Sequence, residues 1–231
     1  MADLDFSDKN LAFLFRWGDV DIYLTDTLLS TWIVMGALVI FAIVVRIRLT
    51  RFKSVPKGFQ NAVEIMVETM ANFSRNTMGP GMDALGGYFF GVFAFILISN
   101  FSGLVGLRPP TADLATTGAL ALSSFVLIHG AGLAKRKWKY FKDYLAPVPI
   151  FLPLNLVGEI AKPVSLGFRL FGNILGGTII MGLVYNSLPI LLRFILPDLL
   201  HAYFDLFAGA IQAFIFTVLS MTFIQQKAAG E

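Results

Sequence analysis

Hydrophobic and polar positions divide the chain into long apolar runs and one clearly amphipathic stretch. Thr27–Val45 is almost uncharged and ends abruptly in Arg46, Arg48, Arg51, Lys53 and Lys57. About 20 apolar residues cross the ~30 Å hydrocarbon core of a bilayer, so this run predicts a first spanning helix. From Phe59 the pattern changes. Phe59, Val63, Met66, Met70 and Phe73 recur at spacings of four and three, with Glu64, Glu68, Asn72 and Arg75 on the other side. That periodicity predicts an amphipathic helix over 58–77, lying on the cytoplasmic membrane surface or facing a core. Further spans are expected over 88–107, 114–133, 154–188 and 197–226. The fold class is therefore all-α integral membrane: five transmembrane helices, one surface helix, and an external segment over 1–26 ahead of the membrane domain.

The last two spans are too long to stand upright. Leu154–Leu188 would extend roughly 52 Å as a helix, well beyond the ~30 Å core, and must tilt or bend. Pro163 and Gly167 are possible bending points, and Gly172 and Gly176 form a small-residue face that lets another backbone approach. The final helix has similar excess length. No internal repeat relates two halves of the chain, which argues against the duplicated architecture common among secondary transporters.

Composition narrows the chemistry. Of 231 residues, 56% are hydrophobic and 14% charged, the profile of a membrane protein. With no cysteine and two histidines in distant segments, thiolate metal sites and cysteine nucleophiles are excluded and a histidine-rich metal site is not expected. The net charge of +3 comes from basic residues beside apolar runs, the arrangement expected facing cytoplasm and anionic lipid; nucleic acid is not an expected partner. The acidic start lacks the basic segment and short apolar core of a cleavable signal, so the first span is expected to direct insertion. The clusters after Val45 and over Lys135–Lys142 place the N-terminus outside and the C-terminus in the cytoplasm.

A few polar residues remain at membrane depth. Arg169 is foremost, because a guanidinium costs ~2.5–3.5 kcal/mol at a helix centre on insertion scales and normally serves an ion, a substrate or a charged partner there. On a helical wheel with Arg169 at zero, Lys162 falls at about 20°, Asn173 at about 40° and Glu159 at about 80°, whereas Thr178 lies at about 180°. Asp198, His201, Asp205 and Gln212 form a second stripe on the last helix. The structural alternative is that Asp205 neutralises Arg169 and Gln212 bridges helices. For Asp113 the alternative role is a helix cap, and for His129 that of a hydrogen-bonded structural histidine.

Pro163-Val-Ser-Leu-Gly-Phe-Arg-Leu-Phe-Gly-Asn173 resembles the signature of the a subunit of rotary F-type ATP synthases. Gly209-Ala-Ile-Gln-Ala-Phe-Ile-Phe216 resembles that family's final-helix motif, and Arg108-Pro-Pro-Thr-Ala-Asp113 its outer-loop motif. The resemblance runs from about Trp32 to Gln226. It implies that Arg169 is the essential arginine facing the carboxylate of each passing rotor c subunit, with Gln212 as its companion. It also implies an outer half-channel around Asn173, Thr178, Asp205 and Asp113, and a cytoplasmic half-channel near Glu159; His201 and Lys162 are further candidates for the ion path.

Many relatives carry Glu or His at the position of Thr178, so Asp205 becomes the candidate outer carboxylate here; Ala115 replaces an asparagine common in the outer-loop motif. The implied partners are a c-subunit ring, b-type peripheral stalk subunits, the remaining synthase subunits and the lipid of a bacterial inner membrane. No cofactor is implied, and the transported ion is H+ or Na+. With neither a nucleotide-binding loop nor a catalytic head, the chain alone is not a complete enzyme.

Overall fold

A computed structural model describes residues 10–17, 20–50, 52, 56–144, 148–187 and 196–229. Residues 1–9, Arg51 and Lys53, which figure in the charge reading, lie outside this set. Among the described residues five helical segments are long and apolar enough to cross a membrane: Asp26–Leu49, Asp83–Val105, Leu114–Arg136, Pro149–Asn186 and Leu199–Ala229. The all-α membrane architecture follows directly from the apolar runs that form them.

One element is not an expected helix. Asn10–Trp17 (β1) and Val20–Thr25 (β2) pair as an antiparallel hairpin. Phe13 faces Tyr23 across it and Arg16 faces Asp21, with Arg16 Nη2 donating to Asp21 Oδ2 at 3.1 Å. Only the charges of this stretch entered the sequence expectation, which was of an external segment.

The hairpin feeds directly into α1 (Asp26–Leu49), whose N-cap Thr25 accepts from the Leu28 amide at 3.2 Å. Only Thr27, Ser30 and Val34 of α1 are buried. Trp32, Val39, Ile40, Ile43 and Ile47 are exposed, an arrangement at ease only against lipid or another apolar partner. α2 (Phe59–Met78) follows. Its C-terminal half docks into the bundle, where Met78 packs with Met82, Phe89, Ile128, Met221 and Ile224; Phe59, Ile65, Met66 and Val67 stay exposed.

α3 (Gly86–Phe101) runs into a 3₁₀ turn over Ser102–Val105, and a second 3₁₀ turn at Pro110–Ala112 precedes α4 (Leu114–Arg136). α5 (Trp138–Asp143) is a short helix beyond it. α6 (Leu152–Ser187) is a single helix of 36 residues with Pro163 inside it. The pyrrolidine nitrogen cannot donate to the Glu159 carbonyl, yet the helix continues past it. Leu166 and Leu170 of α6 pack with Val92, Ile96, Ala121, Ala213 and Phe216 to form the central core.

The final helix is not uniform. α7 (Leu196–His201) passes into a π-helical turn, Ala202–Ala208, before α8 (Gly209–Ala229) resumes α geometry. Such wide turns are rare and concentrate at functional places. Nothing in the sequence reading anticipated it.

Candidate functional site

The residues singled out from sequence fall into three groups along the bundle. The first surrounds a cavity of about 560 Å³ lined by Asp113, Thr178, Tyr185, His201, Asp205 and Arg108, among others. The π turn carries Asp205 to this cavity, and His201 precedes it by four residues. His201 Nδ1 lies 2.7 Å from Asp205 Oδ2, and the Tyr185 hydroxyl is 3.4 Å from His201 Nε2. The carboxylate rests on Gly103, where a Cβ would come within 2.9 Å of Oδ2; a side chain there would displace it. The geometry provides a part-buried carboxylate, an imidazole and a phenol in sequence, able to pass a proton between neighbouring oxygen and nitrogen atoms.

Thr178 lines the same cavity and points its hydroxyl back to the Ile174 carbonyl at 2.9 Å. Asp113 both lines the cavity and caps α4, accepting from the Ala115 amide at 3.1 Å and the Thr116 hydroxyl at 3.3 Å. The cap foreseen in the sequence is therefore formed. Arg108, at the cavity rim, has Nη1 3.8 Å from Asp26 Oδ2, which ties the outer loop to the start of α1. Arg108 opens the outer-loop motif quoted above, whereas Tyr185 and Gly103 carried no distinct sequence signal. The side chain of Asp198 lies outside the described set.

The second group is central. Arg169 is exposed on α6 and, among the described residues, makes no hydrogen bond or ion pair. Asp205 does not neutralise it, since that carboxylate is taken up by His201. Gln212 is buried, and its side-chain nitrogen has no partner among the described residues; the same holds for the Asn173 side-chain nitrogen. Neither Asn173, Gln212 nor Arg169 lines the outer cavity. The stripe read on the last helix is thus split, with His201 and Asp205 at the cavity and Gln212 apart from it.

The third group lies toward the other end of α6. Glu159 is buried, with Oε1 2.8 Å from Lys162 Nζ and 2.7 Å from Lys227 Nζ. Its Oε2 accepts no hydrogen bond among the described residues and sits 4.0 Å from His129 Nε2. His129 Nδ1 contacts the Tyr140 hydroxyl, which lies 2.7 Å from that of Tyr144. Lys227 also stands over the Tyr144 ring, 4.7 Å from its centroid. The helical wheel set Glu159 and Lys162 on one face, in keeping with their pairing here, whereas His129 was named apart from them and Lys227 counted only as a cytoplasmic charge.

Among the described residues no group of three or more His, Cys, Asp or Glu side chains could hold a metal ion.

Comparison with known proteins is consistent in direction. Residues 28–225 match the model of the family described as ATP synthase A chain. ATP synthase subunit a 1 of Syntrophotalea carbinolica is 38% identical over 202 residues, covering 84% of this chain and 81% of its own. ATP synthase subunit a, sodium ion specific, of Propionigenium modestum is 35% identical over 218 residues, 87% of this chain and 73% of its own. ATP synthase subunit a 2 of Acaryochloris marina is 35% identical over 211 residues, 90% of this chain and 87% of its own.

Proposed function

The chain belongs to the ATP synthase A chain family, whose members are the stationary ion-channel subunits of F-type ATP synthase, and from that premise we propose that it offers two offset half-channels to a ring of rotor c subunits. The observation that carries this reading is Arg169, a permanent charge on a spanning helix, exposed and without an internal partner among the described residues. A guanidinium so placed needs an anion from outside the chain, and a rotor carboxylate is such an anion.

In this reading an ion enters the outer cavity, where Asp205 and His201 relay it toward the ring. The protonated, neutral rotor carboxylate then moves through lipid. On returning it releases its proton toward the Glu159 end, and Arg169 holds the ionised carboxylate by a charge-assisted pair. That pair keeps the half-channels from joining directly, so rotation is the only connection. Each charge moved down the membrane potential supplies ~2.3 kcal/mol per 100 mV, so several must pass for each ATP. Gln212, buried with a spare donor, would sit beside the same carboxylate, and Asn173 would line the approach to it.

The titratable His201–Asp205 pair favours H+ as the transported ion. The relative from Propionigenium modestum, named sodium ion specific, supports Na+ as the second reading; ATP synthesis measured with and without Na+ separates the two.

The spans would sit in a bacterial inner membrane with the N-terminus outside. Supporting this, Arg46 and Arg48 of α1, Lys135 and Arg136 of α4, and Lys227 of α8 lie in the last turns of the first, third and fifth spans, which alternation brings to one side. Association with the other synthase subunits follows from family membership; the c-ring at the Arg169 face and b-type stalk helices elsewhere are our assignments.

The test is reconstitution of the complete complex in liposomes, wild type and Arg169→Ala, with ATP synthesis and passive ion flux measured under an imposed potential. Lost synthesis with sustained or increased leak is expected. Unchanged synthesis would make the arginine structural.

A further inference from the structure

The wide turn in the last helix is fastened from outside by a residue that belongs to none of the motifs. Asn100, near the end of α3, is fully buried. Its Nδ2 donates to the Gly209 carbonyl at 2.9 Å, and its Oδ1 accepts from the Thr111 hydroxyl at 2.7 Å. The amide orientation is fixed by chemistry, because a backbone carbonyl can only accept. Thr111 is also fully buried and lies in the outer-loop segment Arg108–Asp113. Gly209 opens the final-helix segment; its own amide is shared between the carbonyls of Phe204 and Leu206, the five-back and three-back partners met where π and α geometry join. A Cβ on Gly209 would stand 2.8 Å from the Asn100 Cβ, so only glycine admits this approach.

We infer that Asn100, held by Thr111, is a positioning residue that locks the π-to-α junction of the last helix and thereby sets Asp205 and Gln212 in their places. Gly209 lies four residues after Asp205 and three before Gln212. Gly103, on which the Asp205 carboxylate rests, lies three residues after Asn100. One buried amide therefore anchors the same junction from which the outer carboxylate and the central glutamine both project. The motifs at 108–113 and 209–216 become parts of one device, joined through α3.

The inference rests on the stator reading, and the experiment separates the two. Reconstituted complexes carrying Thr111→Ser, Thr111→Val, Asn100→Leu or Arg169→Ala are compared with wild type for ATP synthesis and for passive H+ flux per assembled complex, the latter as a function of outer pH. Thr111→Ser keeps the hydroxyl and is expected to match wild type. Thr111→Val keeps the shape but leaves the Asn100 oxygen unpaired, and flux should fall about tenfold, the effect of one lost buried hydrogen bond. The midpoint of its outer-pH dependence should also move, because Asp205 shifts in its cavity. Asn100→Leu should be at least as impaired, and if it does not assemble the near-isosteric Thr111→Val decides. Wild-type flux and an unmoved midpoint in Thr111→Val, or equal impairment of Thr111→Ser, would overturn the inference. Arg169→Ala that still synthesises ATP would instead overturn the stator reading beneath it.

Discussion

Lys227, in the last turn of α8, reaches back to Glu159 on α6, with Nζ 2.7 Å from Oε1. The two residues are far apart in sequence, and their pairing closes α6 and α8 together at the end remote from the outer cavity. Glu159 is also held by Lys162, so one carboxylate oxygen serves two ammonium groups. Lys227→Met should loosen this clasp and destabilise the assembled subunit. The cost should sit at the low end of the ~3–5 kcal/mol seen on breaking a buried pair, since Lys162 remains. Thermal release of the subunit from the detergent-solubilised complex measures it. The exchange Glu159→Lys with Lys227→Glu should recover part of the loss, and no recovery would count against a direct pair.

Asp205→Asn removes the titratable oxygen from the outer cavity while keeping its volume. Passive H+ flux from the outer side should drop about a hundredfold, within the ~10²–10⁴ range associated with a positioned acid–base group. Fluorescent pH readout in liposomes checks this; unchanged flux would take Asp205 out of the path.

Gly103→Ala tests the seat of that carboxylate without touching it. The added methyl would fall within 2.9 Å of Asp205 Oδ2, so the side chain must turn away. Flux should fall, though less than in Asp205→Asn, and the complex should assemble at normal levels on an immunoblot.

Arg169→Lys keeps the charge but loses the planar fork and the resistance to deprotonation. Coupled ATP synthesis should be abolished in reconstituted vesicles. Near-normal synthesis would rule out the role assigned to this residue.

Asp113 has two possible roles, as a cavity group and as a helix cap. Asparagine caps about as well as aspartate, whereas alanine forfeits ~1 kcal/mol. Asp113→Asn should therefore retain both stability and flux, and Asp113→Ala should lower thermal stability with flux per complex preserved. A loss of flux in Asp113→Asn would place the carboxylate in the ion path instead.

The reach of the sequence can be traced residue by residue. Apolar run length and basic ends located the spans, because lipid imposes that pattern on any helix crossing it. Arg169 stood out because an intramembrane guanidinium is costly, and the helical wheel set Thr178 on the opposite side from it, in keeping with Thr178 lining a cavity that Arg169 does not. The paired strands Asn10–Trp17 and Val20–Thr25 were not expected, because the charges weighed there say nothing of pairing. The His201–Asp205 pair, four residues apart on one helix, follows the stripe read on the last helix; by contrast, the clasp by Lys227 and the lock by Asn100 depend on packing between distant segments. Neither periodicity nor composition encodes such contacts. The π turn left no mark either, since its Ala-Tyr-Phe-Asp-Leu-Phe-Ala sequence is equally suited to an ordinary helix.

That turn has a consequence for how the chain tolerates change in length. A π turn accommodates one residue more than the α-helix it interrupts, so deleting one residue within Ala202–Ala208 would let hydrogen bonding run on without a break. The wider turn adds less rotation per residue, so the extra residue is absorbed locally, and with it gone the remainder of the helix would keep its facing relative to everything before it. Gln212 would stay in its buried site, and the change would fall on the residues of the turn itself, Asp205 among them. This short stretch therefore lets the helix carry one residue more without disturbing the alignment of its two ends.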